Sequence, residues 1–188
     1  MKKLGVLALQ GSVVEHITAL SRIQEVTACE VKTLEELESV DGLIIPGGES
    51  TTMGKLLRDF KLLEPIKTRI NNGMPVWGTC AGLILLANKI AEDDIVHLGV
   101  MDIKVRRNAY GSQLDSFITE KLIPEVSEEH MKLVFIRAPW VEEVGEGVEI
   151  LSQHQDRIIA VRQGNILGTS FHPELTEGIE FHKYFANM

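Results

Sequence analysis

The sequence predicts an α/β fold, a mostly parallel central sheet with an antiparallel elaboration in its second half, and three observations carry that expectation. Up to Ile90, short apolar runs that end in glycine, proline or asparagine alternate with stretches of helical period, the pattern of βαβ units. Beyond Ile90 the alternation gives way to short β-type runs with few helical stretches between them. No internal repeat, low-complexity tract or linker divides the 188 residues, so a single domain over residues 1–188 is expected.

Lys3 to Leu9 reads as the first strand and Ser12 to Ile23 as a helix with Val13, Ile17 and Leu20 on its apolar face. Cys29 to Lys32 suits a second strand. Leu43-Ile44-Ile45, apolar throughout and ended by Pro46-Gly47-Gly48, suits a buried third. Ser50 or Thr51 is a candidate cap for a helix reaching Phe60, and Pro65 opens another that stops at Asn72-Gly73. Met74 to Trp77 is a fourth strand, with Leu83 to Ile90 a helix packed on the sheet. Val100 to Val105, Leu133 to Ile136, Val148 to Leu151, Arg157 to Arg162 and Ile166 to Phe171 are the β candidates of the second half. A hairpin turns at Gly164-Asn165, and Glu177 to Asn187 closes as a helix.

A formal charge of −8 argues against nucleic-acid binding, which needs a basic patch, and acidic clusters such as Glu35-Glu36, Glu128-Glu129 and Glu142-Glu143 read as solvated surface. No apolar run approaches the length of a membrane span. The N-terminal Met1 to Gln10 segment is a better strand than signal peptide, so neither membrane nor nucleic acid is expected as a partner and the expected compartment is the cytoplasm. Two cysteines make no disulfide framework. Gly48 to Lys55 imitates a phosphate-binding loop, but five residues separate its glycines and Leu56 follows the lysine, so nucleotide binding has no support.

Gly78-Thr79-Cys80-Ala81-Gly82 sits between a strand and a helix with a thiol at the turn. Gly-x-Cys-x-Gly has the spacing of a nucleophile elbow with sulfur in place of oxygen. Free cysteine is otherwise a small buried hydrophobe, so the chemical reading needs a base. Phe171-His172-Pro173-Glu174 supplies one: Pro173 disfavours helix at His172, and an extended segment projects His172 and Glu174 to one side. Cys80, His172 and Glu174 then form a nucleophile, base and orienter. Gln10-Gly11, the Pro46 to Ser50 turn and Cys80 all fall at the carboxyl ends of predicted strands, where such sheets hold ligands. Among the other histidines, His16 and His182 lie on predicted helices and read as exposed, and His97, His130 and His154 lack metal-ligand spacing; Cys29 reads as an inert core thiol. No metal and no cofactor is expected.

Pro46-Gly47-Gly48, Gly78 to Gly82 and His172-Pro173-Glu174 together resemble the class I (triad) glutamine amidotransferases. Gly5 to Gly11, Pro46 to Met53, Val105-Arg106-Arg107-Asn108, Asp115-Ser116-Phe117, Phe135-Ile136-Arg137-Ala138-Pro139 and Ser170 to Thr176 extend the resemblance, more closely, to the glutaminase subunits of pyridoxal 5'-phosphate synthase. The resemblance spans essentially the whole chain, with little to match around Glu120 to Lys132. It implies a flavodoxin-like three-layer sandwich that hydrolyses L-glutamine to L-glutamate and ammonia. The ammonia passes to a separate synthase subunit that assembles vitamin B6. It assigns Cys80 as nucleophile, His172 as proton shuttle and Glu174 as its orienter. Backbone N–H groups at Gly48 and Ala81 receive the oxyanion, and Gly48, Glu49, Ser50, Arg107, Ile136 and Arg137 bind glutamine. A guanidinium suits that task because a free amino acid presents an α-carboxylate that it can grip in two places; Arg106 reads as a surface residue. The competing readings are the glutaminase of another pathway, a cysteine peptidase or γ-glutamyl hydrolase on the same scaffold, and a non-catalytic binding protein.

Overall fold

The four strands expected in the first half all become strands of one sheet in the computed structural model, which describes residues 1–107 and 116–188. Chain order is β1 (Lys2–Leu7), α1 (Val13–Ser21), β2 (Val26–Val31), α2 (Leu34–Glu38), β3 (Gly42–Ile45), α3 (Ser50–Asp59), α4 (Leu63–Asn71), β4 (Val76–Thr79) and α5 (Ala81–Leu86). The second half continues with β5 (Ala87–Ile90), β6 (Met101–Arg106), β7 (Ser116–Lys121), β8 (Met131–Ile136), β9 (Trp140–Val144), β10 (Glu149–His154), β11 (Arg157–Gln163) and β12 (Ile166–Thr169). A 3-10 turn (Pro173–Leu175) and α6 (Glu180–Ala186) complete it. Asn108 and Asp115, which carry part of the family resemblance, lie outside the described residues.

The sheet runs β2-β1-β3-β4-β12-β11-β9-β6-β5. Its first five strands are parallel in the 2-1-3-4-5 order of flavodoxin-like folds, with β12 in the fifth place. From β11 the pairing turns antiparallel to β12, β10 and β9, while β7 and β8 form a separate hairpin. Alternate residues of the parallel strands feed two cores. Leu7, Leu43, Ile45 and Val76 pack with α3, α4 and α5, whereas Leu4, Val6, Ile44 and Trp77 pack with α1, α6 and β8. Both faces are therefore covered, which is why these strands read as unbroken apolar runs. No helix among the described residues is long and apolar enough to cross a membrane.

Several local expectations change. The helix expected over Leu83 to Ile90 ends at Leu86, and Ala87–Ile90 turns to strand and pairs with β6. A continuous apolar run fits either state, and the need of β6 for a neighbour decides it. Neither Ser50 nor Thr51 caps α3; the Glu49 carboxylate does, accepting from the N–H of Thr51 at 3.0 Å and Thr52 at 2.7 Å. Thr33 and Glu36 form a capping box on α2, a helix not anticipated although Thr-x-x-Glu announces it. Strands β7 and β9 were not anticipated either. Cys29 is half-buried rather than in the core. Glu142 is not simply solvated: it pairs with Arg106 and Lys104 on the outer face of the elaboration, and Arg106 pairs also with Glu92. The largest revision concerns His16 and His182, expected on exposed faces and in fact fully buried between α1, α6 and Trp77.

Candidate active site

The site forms where β4 and β12 lie side by side. Thr79 and Thr169 are in register, so Cys80, one residue past the first, and His172, three past the second, emerge at the same carboxyl edge. Cys80 has φ 50° and ψ −103°, a strained conformation for a residue with a Cβ, and its N–H is held by the carbonyl of Thr169 at 2.8 Å. The flanking glycines explain how the bend closes. A Cβ on Gly78 would stand 2.5 Å from the backbone of Gly82, and one on Gly82 would stand 2.0 Å from the carbonyl oxygen of Ile45. Hydrogen at Gly78 lets β4 come this close to α5, and hydrogen at Gly82 lets α5 come this close to the end of β3.

His172 is anchored from the other side, its N–H donating to the carbonyl of Val134 on β8 at 2.8 Å. Its backbone, at φ −109° and ψ 86°, is non-helical as Pro173 favours but not the extended strand expected, and Glu174 reaches it from a 3-10 turn. The ring Nδ1 lies 2.7 Å from Glu174 Oε1, which leaves Nε2 as the nitrogen available to the Cys80 thiol. Ser12 donates to the same carboxylate oxygen at 2.7 Å. Gly47 makes room for this contact: a Cβ there would meet His172 Cε1 at 2.3 Å and Cys80 Cβ at 3.5 Å.

Electrostatics favour a charged pair in this dry corner. Burial by itself pushes the His172 imidazole down, yet the hydrogen bonds and charges of Cys80 and Glu174 more than offset it and hold the ring well above its ordinary value. Glu174 is pushed up by burial but drawn down further by His16, His172 and the Ser12 hydroxyl, so it stays ionised.

Cys80 and His172 open on a cavity of about 640 Å³ that is also lined by Gly48, Glu49, Ser50, Ala81, Arg107, Ile136 and Arg137. Every residue expected at the site except Glu174, which stands behind His172, borders this space. Ala81 opens α5, so its N–H has no acceptor within the helix. The Ile136 carbonyl lies 4.0 Å from Cys80 Sγ, and Arg137 follows with φ 42°. The Arg107 guanidinium is braced by Asp93 and lies 3.4 Å from Thr51 Oγ1, with further N–H groups left for a ligand. Glu49 differs from the others: its carboxylate caps α3, its N–H donates to Gln10 Oε1 at 2.9 Å, and hydrogen bonds from Thr52, above all from its hydroxyl, lower it to about 2. It shapes the loop more than it offers a free group. No group of three or more His, Cys, Asp or Glu side chains among the described residues is placed to hold a metal ion.

Two polar residues that touch this site were not expected there, His16 behind Glu174 and Ser12, whose hydroxyl donates to Glu174 Oε1. His16 was legible in principle, because Val13, His16, Ile17 and Leu20 follow one helical stripe and a histidine inside such a stripe faces inward.

Comparison with known proteins gives the same picture from another direction. The profile of the SNO glutamine amidotransferase family matches residues 6–188. A protein of Ruminiclostridium cellulolyticum named pyridoxal 5'-phosphate synthase subunit PdxT is 58% identical over 188 residues, 100% of both chains. One of the same name from Thermoanaerobacter sp. strain X514 is 55% identical over 99% of this chain and 98% of its own. A crystal structure titled glutamine amidotransferase superposes with a TM-score of 0.92 at 44% identity, covering 98% of this chain and 97% of its own. With 16% identity and a TM-score of 0.70, covering 99% of this chain and 98% of that one, a chain of PurLQS from Thermotoga maritima shares the fold alone. On the full-length identity and the span of the profile, this chain belongs to the SNO glutamine amidotransferase family.

Proposed function

We propose that this chain hydrolyses L-glutamine to L-glutamate and ammonia and passes the ammonia to a synthase subunit that makes pyridoxal 5'-phosphate. The observation that carries the reading is one imidazole bonded to a carboxylate and placed beside a thiol on a strained turn, both opening on a cavity that an arginine also lines. Cys80 Sγ, its proton already given over to His172 Nε2, attacks the side-chain amide carbon as a thiolate. The oxyanion that forms meets the N–H groups of Ala81 and Gly48. His172 returns the proton to the departing nitrogen, the C–N bond breaks, and ammonia leaves behind a thioester. Water, deprotonated by His172, then attacks the thioester and releases glutamate with the thiol restored. Glu174 holds the ring in the tautomer with Nδ1 protonated and stabilises the imidazolium. Arg107 is suited to the α-carboxylate, and the Gly48-Glu49-Ser50 turn, Ile136 and Arg137 form the walls around the rest of the substrate.

The relatives named as synthase subunits supply the destination of the ammonia. In water near neutral pH ammonia is mostly ammonium, which has no lone pair to react, so direct transfer between subunits preserves the nucleophile. We read residues 1–188 as a single class I amidotransferase domain, acting in the cytoplasm because a nucleophilic thiol must stay reduced. Glutamate release from the purified chain, alone and with a pyridoxal 5'-phosphate synthase subunit, tests this. Addition of the subunit should raise the rate, and Cys80→Ala should abolish it. A Cys80→Ala protein as fast as the wild type would end the reading.

A further inference from the structure

Behind the triad lies a second buried pair that the reaction as written does not use. His16 on α1 and His182 on α6 are both wholly buried, with His16 Nδ1 2.9 Å from His182 Nε2 and both rings edge-on to Trp77. His16 Nε2 lies 3.2 Å from Thr79 Oγ1 and 3.4 Å from Glu174 Oε2. The two oxygens of Glu174 are thus treated differently: Oε1 takes both His172 and Ser12 at 2.7 Å, whereas Oε2 is buried with no hydrogen-bond partner among the described residues and has His16 Nε2 beside it at ion-pair distance.

The partners decide where the protons sit. The Thr79 hydroxyl can accept or donate and a carboxylate repels a lone pair, so His16 carries its proton on Nε2, towards Thr79 Oγ1 and Glu174 Oε2, which makes Nδ1 a bare acceptor. His182 must then donate through Nε2–H, leaving its own Nδ1 as a lone pair. That atom has no partner among the described residues, and an unpaired acceptor is tolerated there more readily than an unpaired buried donor. The opposite arrangement would aim the lone pair of His16 at a carboxylate and bury an N–H with no acceptor. Burial, outweighing the pull of Glu174 on His16, keeps both rings neutral, with His16 lowered to about 4 and His182 to about 3; His172, Glu15 and Arg22 are the remaining charges that bear on them.

We propose that His16 is a positioning residue of the triad: its Nε2–H, anchored on Thr79 Oγ1, is the positive dipole that faces the otherwise unpartnered second oxygen of Glu174, so that the first is aimed at His172, and His182 fixes the tautomer of His16 from behind. This rests on the triad reading and adds a member that never touches substrate. If His16 merely fills space, a leucine of similar bulk does as well; if its Nε2–H matters, the location of one donor decides the outcome.

The test is inactivation of the full-length chain by a glutamine-mimicking chloroketone, separated into a binding constant KI and a rate kinact. Wild type and Cys80→Ala are controls, and failure to label Cys80 in the wild type would sink the triad reading itself. Given that labelling, His16→Leu should lower kinact by about 10- to 100-fold, the range for partners that orient a reacting group, with KI shifted less than about twofold. His16→Gln, whose amide nitrogen falls where Nε2 was, should react at least about fivefold faster than His16→Asn, whose nitrogen falls where Nδ1 was. Equal kinact for wild type and His16→Leu, or a loss confined to KI, overturns the role of His16 alone. Should His16→Leu fail to fold, the two amides decide, and equal rates for them overturn it.

Discussion

The parallel half of the sheet and the antiparallel elaboration solve opposite problems with the same chain. Strands β3, β4 and β12 are buried on both faces, and the polar groups among them, Thr79, Thr169, His16 and Trp77 Nε1, are paired side chain to side chain. Strands β6 and β8 alternate buried and more open positions, and the outer charges of the elaboration, Lys104, Arg106, Glu92, Glu142 and Glu143, pair in contact with water. Cys80 and His172 are carried at the edge of the first region, and Arg107, Ile136 and Arg137 come from the second. The division follows from dielectric. Proton transfer and charge-pair formation gain most where water is excluded, whereas recognition of a charged, water-soluble substrate needs groups that can meet solvent before it arrives.

Substitutions on the two sides should therefore fail in different ways. The largest effect belongs to Glu174→Gln, which keeps the shape but removes the charge and permits the wrong imidazole tautomer; kcat for glutamine should fall by a factor on the order of 10² to 10⁴ with KM little changed. A fall in KM-controlled binding alone would place Glu174 among the substrate contacts. Gly82→Ala tests the rigidity of the parallel half through stability: its Cβ would stand 2.0 Å from the Ile45 carbonyl, backbone that cannot step aside, so denaturant unfolding should show a loss of about 1–3 kcal/mol. In the elaboration, Arg107→Lys keeps the charge but loses the two-point grip, and should raise KM by about tenfold while kcat changes less.

The smallest effect is read from pH. A histidine held below its ordinary value by burial is neutral in the folded chain and protonated in the unfolded one between about pH 4 and 6.5, so the unfolded state binds more protons and stability falls as pH drops through that window. His182→Leu should flatten this slope by up to about 1.4 kcal/mol per pH unit. Denaturant titrations at several pH values would show it, and an unchanged slope would mean that the pair is not the acid-sensitive element.

Residue order determined the alternation of strand and helix, the hairpin at Gly164-Asn165 and the elbow at Cys80, because each is written in neighbouring residues through period, turn chemistry or glycine spacing. The class of fold and the meeting of Cys80, His172 and Glu174 were legible for the same reason, assisted by motifs that fall at strand ends. Tertiary structure alone decided the rest. Ala87–Ile90 became a strand because β6 needed a neighbour, and His182 went inward because Trp77 and His16 gave it partners. Whether a polar side chain is buried depends on what waits opposite it, and that neighbour is set by packing across the sheet, at a distance in sequence that no local pattern records.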